Sequence, residues 1–138
     1  AFRTHLLANN AALEATRALF KQMFHQGVRY EQTGGVHAAA LTDGGTLLEH
    51  AEDIGRHNAV DKVIGAALLH GRAPEGLGLL VTGRISAELA FKAARAGLAY
   101  VATPSVPSTL ALTIAKRAGV LLVGRAVSGH PQFHRSDP

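Results

Sequence analysis

The strongest constraint on the fold is an alternation that starts near residue 46 and runs to residue 127. Short apolar runs at Thr46 to Ala51, Leu77 to Val81, Leu98 to Ala102 and Val120 to Val127 are separated by stretches of helical periodicity. In the first intervening stretch Val60, Val63, Ile64, Ala67 and Leu68 recur at i, i+3, i+4, i+7 and i+8, which is one apolar helix face. Gly71 and Pro74 close that helix, and Asn58 with Asp61 three residues on has the form of an N-cap with an acidic partner. Ser86 is the expected N-cap of the second helix, which ends before Gly97. Pro107 suits the first turn of the third, running to Arg117 before Gly119. Strands and helices in this order predict a mainly parallel sheet covered on both faces.

Upstream, Phe2 to Gln26 reads as a helical region, with Ala12, Thr16, Leu19, Phe20 and Met23 at helical spacing and Gly27 as terminator. A polar turn, Tyr30 to Gly35, leads into a strand at Val36 to Leu41. Asp43-Gly44-Gly45 is a hairpin signal that returns the chain through the strand at Thr46 to Ala51. The whole, residues 1–138, reads as one three-layer α/β domain with an irregular tail over 128–138. A chain of 138 residues suffices for a single core, burying roughly 70% of its unfolded surface. No cysteine is present, which excludes disulfides, thiolate metal sites and a cysteine nucleophile within the chain. The net charge of +4 favours anionic partners, yet no Lys/Arg run marks a nucleic-acid stripe. No apolar run reaches the ~20 residues of a membrane-spanning helix, and a cytoplasmic location is the default expectation.

Right-handed crossovers place successive strand ends on one edge of such a sheet. Three strand-to-helix junctions then converge: Asp53 to Lys62, Thr82 to Ser86 and Thr103 to Ser108. Each offers hydroxyls or carboxylates, a Gly or Pro turn and the free N–H groups of a helix start. Arg56 and Arg84 add cations. A helix N-terminus favours an anion by ~0.3–1 kcal/mol, and a charge-assisted arginine contact adds roughly 1.5–3 kcal/mol. A phosphate or pyrophosphate is the ligand class for this edge. His37 or His57 with Asp53 has the residue types for acid–base work. No metal-ligand spacing, Walker loop, complete GxGxxG or GxSxG elbow occurs, so no metal site is expected.

Thr33-Gly34-Gly35-Val36-His37-Ala38-Ala39, the block Glu52-Asp53-Ile54-Gly55-Arg56-His57-Asn58-Ala59-Val60-Asp61-Lys62 and Thr82-Gly83-Arg84-Ile85-Ser86-Ala87-Glu88 closely resemble the formate dehydrogenase accessory protein family, FdhD. Ala102 to Ala111 and Gly119 to Gly124 match its closing segments, in the family's order. The resemblance implies a cytidine-deaminase-like α/β fold, homodimerisation and a role in maturing molybdenum-dependent formate dehydrogenase. It further implies receipt of sulfur from a cysteine desulfurase and delivery to the molybdenum bis-guanine-dinucleotide cofactor, of which guanosine diphosphate is a partial mimic. The family is a sulfurtransferase group that carries sulfur on a Cys-x-x-Cys motif upstream of the part resembled here. Persulfide relay needs a thiolate. A cysteine-free chain is therefore expected to be a carboxy-terminal fragment that binds the cofactor and is inactive in sulfur transfer by itself. Zinc-dependent deamination is excluded, because its His/Cys/Cys ligand set cannot be assembled.

The residues assigned to the cofactor are Thr33, Gly34, Gly35, His37, Asp53, Gly55, Arg56, His57, Asn58, Lys62, Gly83, Arg84, Ser86, Ser105 and Ser108. Arg56, Arg84 and Lys62 take the phosphates, Thr33 to Gly35 allow close backbone approach, and Ser86, Ser105 and Ser108 cap helices beside the ligand. His37, Asp53, His57 and Asn58 shape the pocket. Two other readings compete: a nucleotide-binding enzyme using His57 or His37, and a structural dimerisation module. Neither a nucleic acid nor a membrane is an expected partner.

Overall fold

The computed structural model describes residues 10–26 and 36–134. Helix α1 (Asn10–Gln26) is followed by strands β1 (His37–Thr42) and β2 (Leu47–Asp53), helix α2 (Arg56–Leu69), strand β3 (Gly78–Val81) and helix α3 (Ala87–Arg95). Strand β4 (Tyr100–Ala102), helix α4 (Thr109–Ala118) and strands β5 (Leu121–Gly124) and β6 (Gln132–His134) complete the order. Residues 27–35, which include the expected terminator Gly27, the polar turn and the expected site residues Thr33, Gly34 and Gly35, lie outside the described part, as do residues 1–9 of the first helical region.

The six strands form one mixed sheet in the order β2-β1-β3-β4-β5-β6. The β3–β4 and β4–β5 pairs are parallel, whereas β1 is antiparallel to both its neighbours and β6 to β5. Strands β2, β3, β4 and β5 thus share one direction, with β1 and β6 reversed. The β1–β2 hairpin turns where expected: Asp43 Oδ1 accepts from the N–H groups of Gly45 at 3.0 Å and Thr46 at 2.9 Å. Those bonds hold the Asp43 carboxyl below its ordinary pKa, the Gly45 amide contributing most.

Two cores flank the sheet, giving three layers. On one face Ala59, Val60, Val63 and Ala67 of α2, Leu89, Ala90 and Ala93 of α3 and Ala111 and Ala115 of α4 pack on Ala39, Leu41, Leu79, Val81, Val101 and Leu122. Alanine on the helix faces lets three helices sit close to the strands. On the other face α1 buries Leu19, Phe20 and Met23 against Ala38, Ala40, Leu80, Tyr100, Ala102, Leu121 and Val123. Each fully buried Leu, Val or Phe contributes about 1.5–3 kcal/mol of transfer free energy.

Four local expectations need correction. The tail over 128–138 is not wholly irregular: Gln132–His134 pairs antiparallel with β5, Val123 opposite Phe133. The last apolar run does not stay a strand to Val127, because Arg125 turns at φ 49° and its N–H donates to Ser105 O at 2.8 Å. Pro107 precedes α4 rather than opening its first turn, since Ser108 is the N-cap, its Oγ accepting from Ala111 N at 3.1 Å. Leu68, expected on the buried stripe of α2, is exposed, and Ala59 is buried instead.

Candidate functional site

The first junction is held by one carboxylate. Asp53, at the end of β2, has Oδ1 accepting from Gly55 N at 3.0 Å and from Asn58 Nδ2 at 3.3 Å, while Oδ2 lies 2.7 Å from Lys62 Nζ. Lys62 also donates to Glu52 O at 3.0 Å. These contacts, the Lys62 ammonium first and the Gly55 amide second, lower the Asp53 pKa from 3.8 to about 2. Helix α2 therefore starts with Gly55 as its N-cap, without a side-chain cap, and Asn58 is not the cap expected from the Asn58/Asp61 spacing. Asn58 instead reaches back to Asp53, and Lys62 is engaged in closing the corner.

The second junction lies against the first. Thr82 follows β3, and its Oγ1 accepts from Ala38 N at 3.1 Å and lies 3.3 Å from His37 Nδ1. His37 pairs across the hairpin with Asp53, which sets both at the same sheet edge. Gly83 then passes so close that a Cβ there would stand 3.0 Å from His37 Cε1 and 3.2 Å from Arg56 Cδ. Its φ is not positive, so glycine is needed here for close approach, not for backbone conformation. One glycine thus brings His37 and Arg56 together on one spot. Arg56 Nε is buried without a hydrogen-bond partner, as is His57 Nδ1. His57 Nε2 lies 3.4 Å from Ser86 Oγ, and the same Oγ accepts from Leu89 N at 3.2 Å as the N-cap of α3. Arg84 is exposed.

The third junction is laced to the second. Ile85 N donates to Val106 O at 3.2 Å, Ser108 N donates to Ile85 O at 2.9 Å, and Ile85 bridges Pro107 in parallel. Thr103, fully buried, donates through Oγ1 to Gly83 O at 2.7 Å and accepts from Ser105 N at 3.1 Å. Ser105 is no helix cap, contrary to expectation: its N–H and C=O both serve loop contacts.

His37, Arg56 and Gly83 thus meet at one spot, and His57 and Ser86 make a second contact of their own. Asp53, Gly55, Asn58 and Lys62 close the corner of the first junction, and Ser105 and Ser108 belong to the third junction. The Asp53 carboxylate makes no hydrogen bond or ion pair with either histidine among the described residues, so it does not orient one as an acid–base pair would. Two groups that sequence patterns did not single out, Thr82 and Thr103, tie the junctions together. Their one sequence signal is repetition: each is the threonine directly after an apolar strand run. Among the described residues no cluster of His, Cys, Asp and Glu has the arrangement to hold a metal ion. A separate groove of about 630 Å³ opens between α2 and α3, lined by Asp61, Ile64, Leu68, Phe91, Lys92 and Arg95. It lies on the helical surface, and the Lys92–Asp61 ion pair at 3.0 Å joins its two walls.

The described helices include none long and apolar enough to cross a membrane. Compared with known proteins, the chain is 52% identical over 97 residues to the sulfur carrier protein FdhD of Streptomyces avermitilis, covering 69% of this chain and 34% of that protein. It is 40% identical over 116 residues to the sulfur carrier protein FdhD of Bacillus subtilis, covering 84% of this chain and 44% of that protein. The chain therefore spans between a third and a half of the length of these relatives. A crystal structure described as that of a formate dehydrogenase accessory protein from Desulfotalea psychrophila superposes with a TM-score of 0.83 at 34% identity, over 90% of this chain and 56% of that one. A dCMP deaminase from cyanophage S-TIM5 shares the fold at a TM-score of 0.59 and 14% identity, over 84% of this chain and 98% of that one. The three-layer architecture is thus cytidine-deaminase-like. Residues 4–135 match the model of the FdhD/NarQ family, and with relatives at this level of identity the chain belongs to that family.

Proposed function

We propose that this chain is the cofactor-binding part of a sulfur carrier serving formate dehydrogenase, and that its strand-end edge holds the molybdenum bis-guanine-dinucleotide cofactor as substrate. The observation that carries this reading is the His37–Gly83–Arg56 contact, a cradle that a single Cβ would fill, beside two arginines without carboxylate partners. Arg56 and Arg84 enter no ion pair among the described residues, while Asp53, the acid of the first junction, is already satisfied by Lys62. A buried arginine nitrogen without a partner is costly, and an anionic ligand held by the rest of the guanidinium offsets that cost.

Arg56 and Arg84 bind the diphosphates, and the N-termini of α2, α3 and α4 reinforce them. His37, His57 and Ser86 shape the adjoining wall. Lys62 is assigned to the Asp53 corner, which narrows the phosphate set to the two arginines. Together they offer ~3–6 kcal/mol from charge-assisted contacts, the scale of millimolar to tens-of-micromolar binding for a diphosphate fragment. When bound, the cofactor supplies the molybdenum that accepts the sulfur. This chain has no thiolate, so it cannot carry a persulfide itself. In this reading, the sulfur arrives on a cysteine outside these residues, charged by a cysteine desulfurase, and the carrier works as a cytoplasmic homodimer. The acid–base enzyme reading is weaker, because Asp53 is bound to Lys62, Gly55 and Asn58 instead of orienting a histidine.

Calorimetric titration with guanosine diphosphate tests the site. Saturable binding is expected, weakened about tenfold or more in Arg56→Ala. Absence of saturable binding by the unsubstituted chain would remove this reading and leave the structural module ahead.

A further inference from the structure

Gly83 touches all three junctions, lying against Arg56 of the first and accepting from Thr103 of the third, and its peptide plane is fixed from below. The carbonyl of Gly83 accepts from the buried Thr103 hydroxyl at 2.7 Å. The peptide joining Gly83 to Arg84 is trans, since the described chain has no cis bond. In a planar trans peptide the C=O and N–H point in opposite directions. The Arg84 N–H is thereby turned away from Thr103. Neither Arg84 N nor Gly83 N donates to any acceptor among the described residues. The neighbouring amides behave differently: Thr82 N donates to Ala38 O at 3.2 Å and Ile85 N to Val106 O at 3.2 Å. Two consecutive unused N–H groups therefore lie between two used ones, on the turn that touches His37 and Arg56. A backbone N–H without a protein acceptor is available to donate to an anionic oxygen, a charge-assisted hydrogen bond.

We propose that Thr103 is a positioning residue for the anion site, holding the Gly83–Arg84 peptide so that the Arg84 N–H serves as a backbone donor to a diphosphate oxygen. This deepens the proposed function and rests on it. The hydroxyl does two things at once: it donates to Gly83 O and accepts from Ser105 N at 3.1 Å. The third junction thus sets the orientation of the second. Removing the hydroxyl leaves the Gly83 carbonyl without its donor and frees the peptide to rotate, which takes the Arg84 N–H off the ligand. Thr103→Ser keeps the hydroxyl, whereas Thr103→Val keeps the shape and loses it.

The test is a titration of ¹⁵N-labelled protein with guanosine diphosphate and, separately, inorganic pyrophosphate, following the backbone amides. The Arg84 amide should shift downfield along a saturation curve matching the calorimetric affinity, with both ligands, because the diphosphate is the shared group. Thr103→Val should weaken binding roughly tenfold and abolish the Arg84 shift, and Thr103→Ser should retain both. A merely structural role for Thr103 would lower the melting temperature of Thr103→Val without removing the Arg84 shift at saturating ligand, and that result overturns the proposal. Saturable binding by the unsubstituted chain with an unmoved Arg84 amide also overturns it while leaving the proposed function standing. Absence of any saturable binding overturns both.

Discussion

Strand β3 is bracketed by two glycines, Gly78 at its start and Gly83 two residues past its end, and both are required because a side chain presses on them. At Gly78 that side chain is Tyr100, whose ring carbon Cζ would lie 2.2 Å from an added Cβ. Tyr100 is fully buried, and burial raises the pKa of its phenol above the ordinary value. At Gly83 the neighbours are His37 and Arg56, at 3.0 and 3.2 Å. Both are only half-buried. The same residue type therefore serves packing at one end of a four-residue strand and access at the other. Beside Gly83, Arg56 Nε and the Arg84 N–H have no hydrogen-bond partner among the described residues. Buried side-chain nitrogens without a hydrogen-bond partner also occur away from this edge, at His50 and His134. What sets the Gly83 end apart is that its unmet donors adjoin two arginines that enter no ion pair among the described residues.

The contrast breaks most sharply under alanine. Gly78→Ala forces a Cβ into an aromatic ring held on both sides by core. Overpacking of this kind costs about 3 kcal/mol, a fall in melting temperature on the order of 10 °C for a domain of this size. Gly83→Ala meets the ends of two side chains that can swing outward. Its stability cost should stay below about 1 kcal/mol, but guanosine diphosphate binding should weaken roughly tenfold as Arg56 is displaced. Thermal melts and calorimetry on the two variants measure both quantities. Equal losses of stability would mean that the two ends of β3 are alike after all, and the Gly83 cradle would be packing.

Local patterns carried most of this architecture, and non-local pairings carried what was missed. The helix faces of α2 to α4 and the caps at Ser86 and Ser108 depend on residues within one or two turns, so periodicity and hydroxyl placement reveal them. Strand β6 escapes because Gln132–His134 is only three residues long, with one apolar side chain, Phe133, and its pairing with β5 is what makes it a strand. Asn58 misleads in the opposite way. Its spacing to Asp61 imitates a cap, yet Asp53, five residues earlier, claims its amide. In the site, the convergence of three junctions follows from crossover handedness. The contacts that make them one surface span 45 residues between His37 and Thr82 and 20 between Gly83 and Thr103, separations at which no motif can be read.

The smallest expected effect concerns the support beneath the site. Asp53 is held near a pKa of about 2 against an ordinary 3.8, chiefly by Lys62 and then by the Gly55 amide. A carboxylate whose folded-state pKa is depressed binds fewer protons when folded than when unfolded, so it favours the folded state above its unfolded pKa. That contribution is complete above about pH 4 and is lost as the pH falls from there through about 2. The pair with Lys62 is solvent-accessible, so salt screens it and the effect stays modest. Asp53→Asn should flatten this part of the acid limb when melting temperature is plotted against pH, and added salt should shrink the difference between the two proteins. Binding of guanosine diphosphate at neutral pH should change far less than in Gly83→Ala, since the Asp53 carboxylate is taken up by Gly55, Asn58 and Lys62. A loss in Asp53→Asn as large as that in Gly83→Ala would extend the binding edge into the first junction and place Asp53 and Lys62 within it.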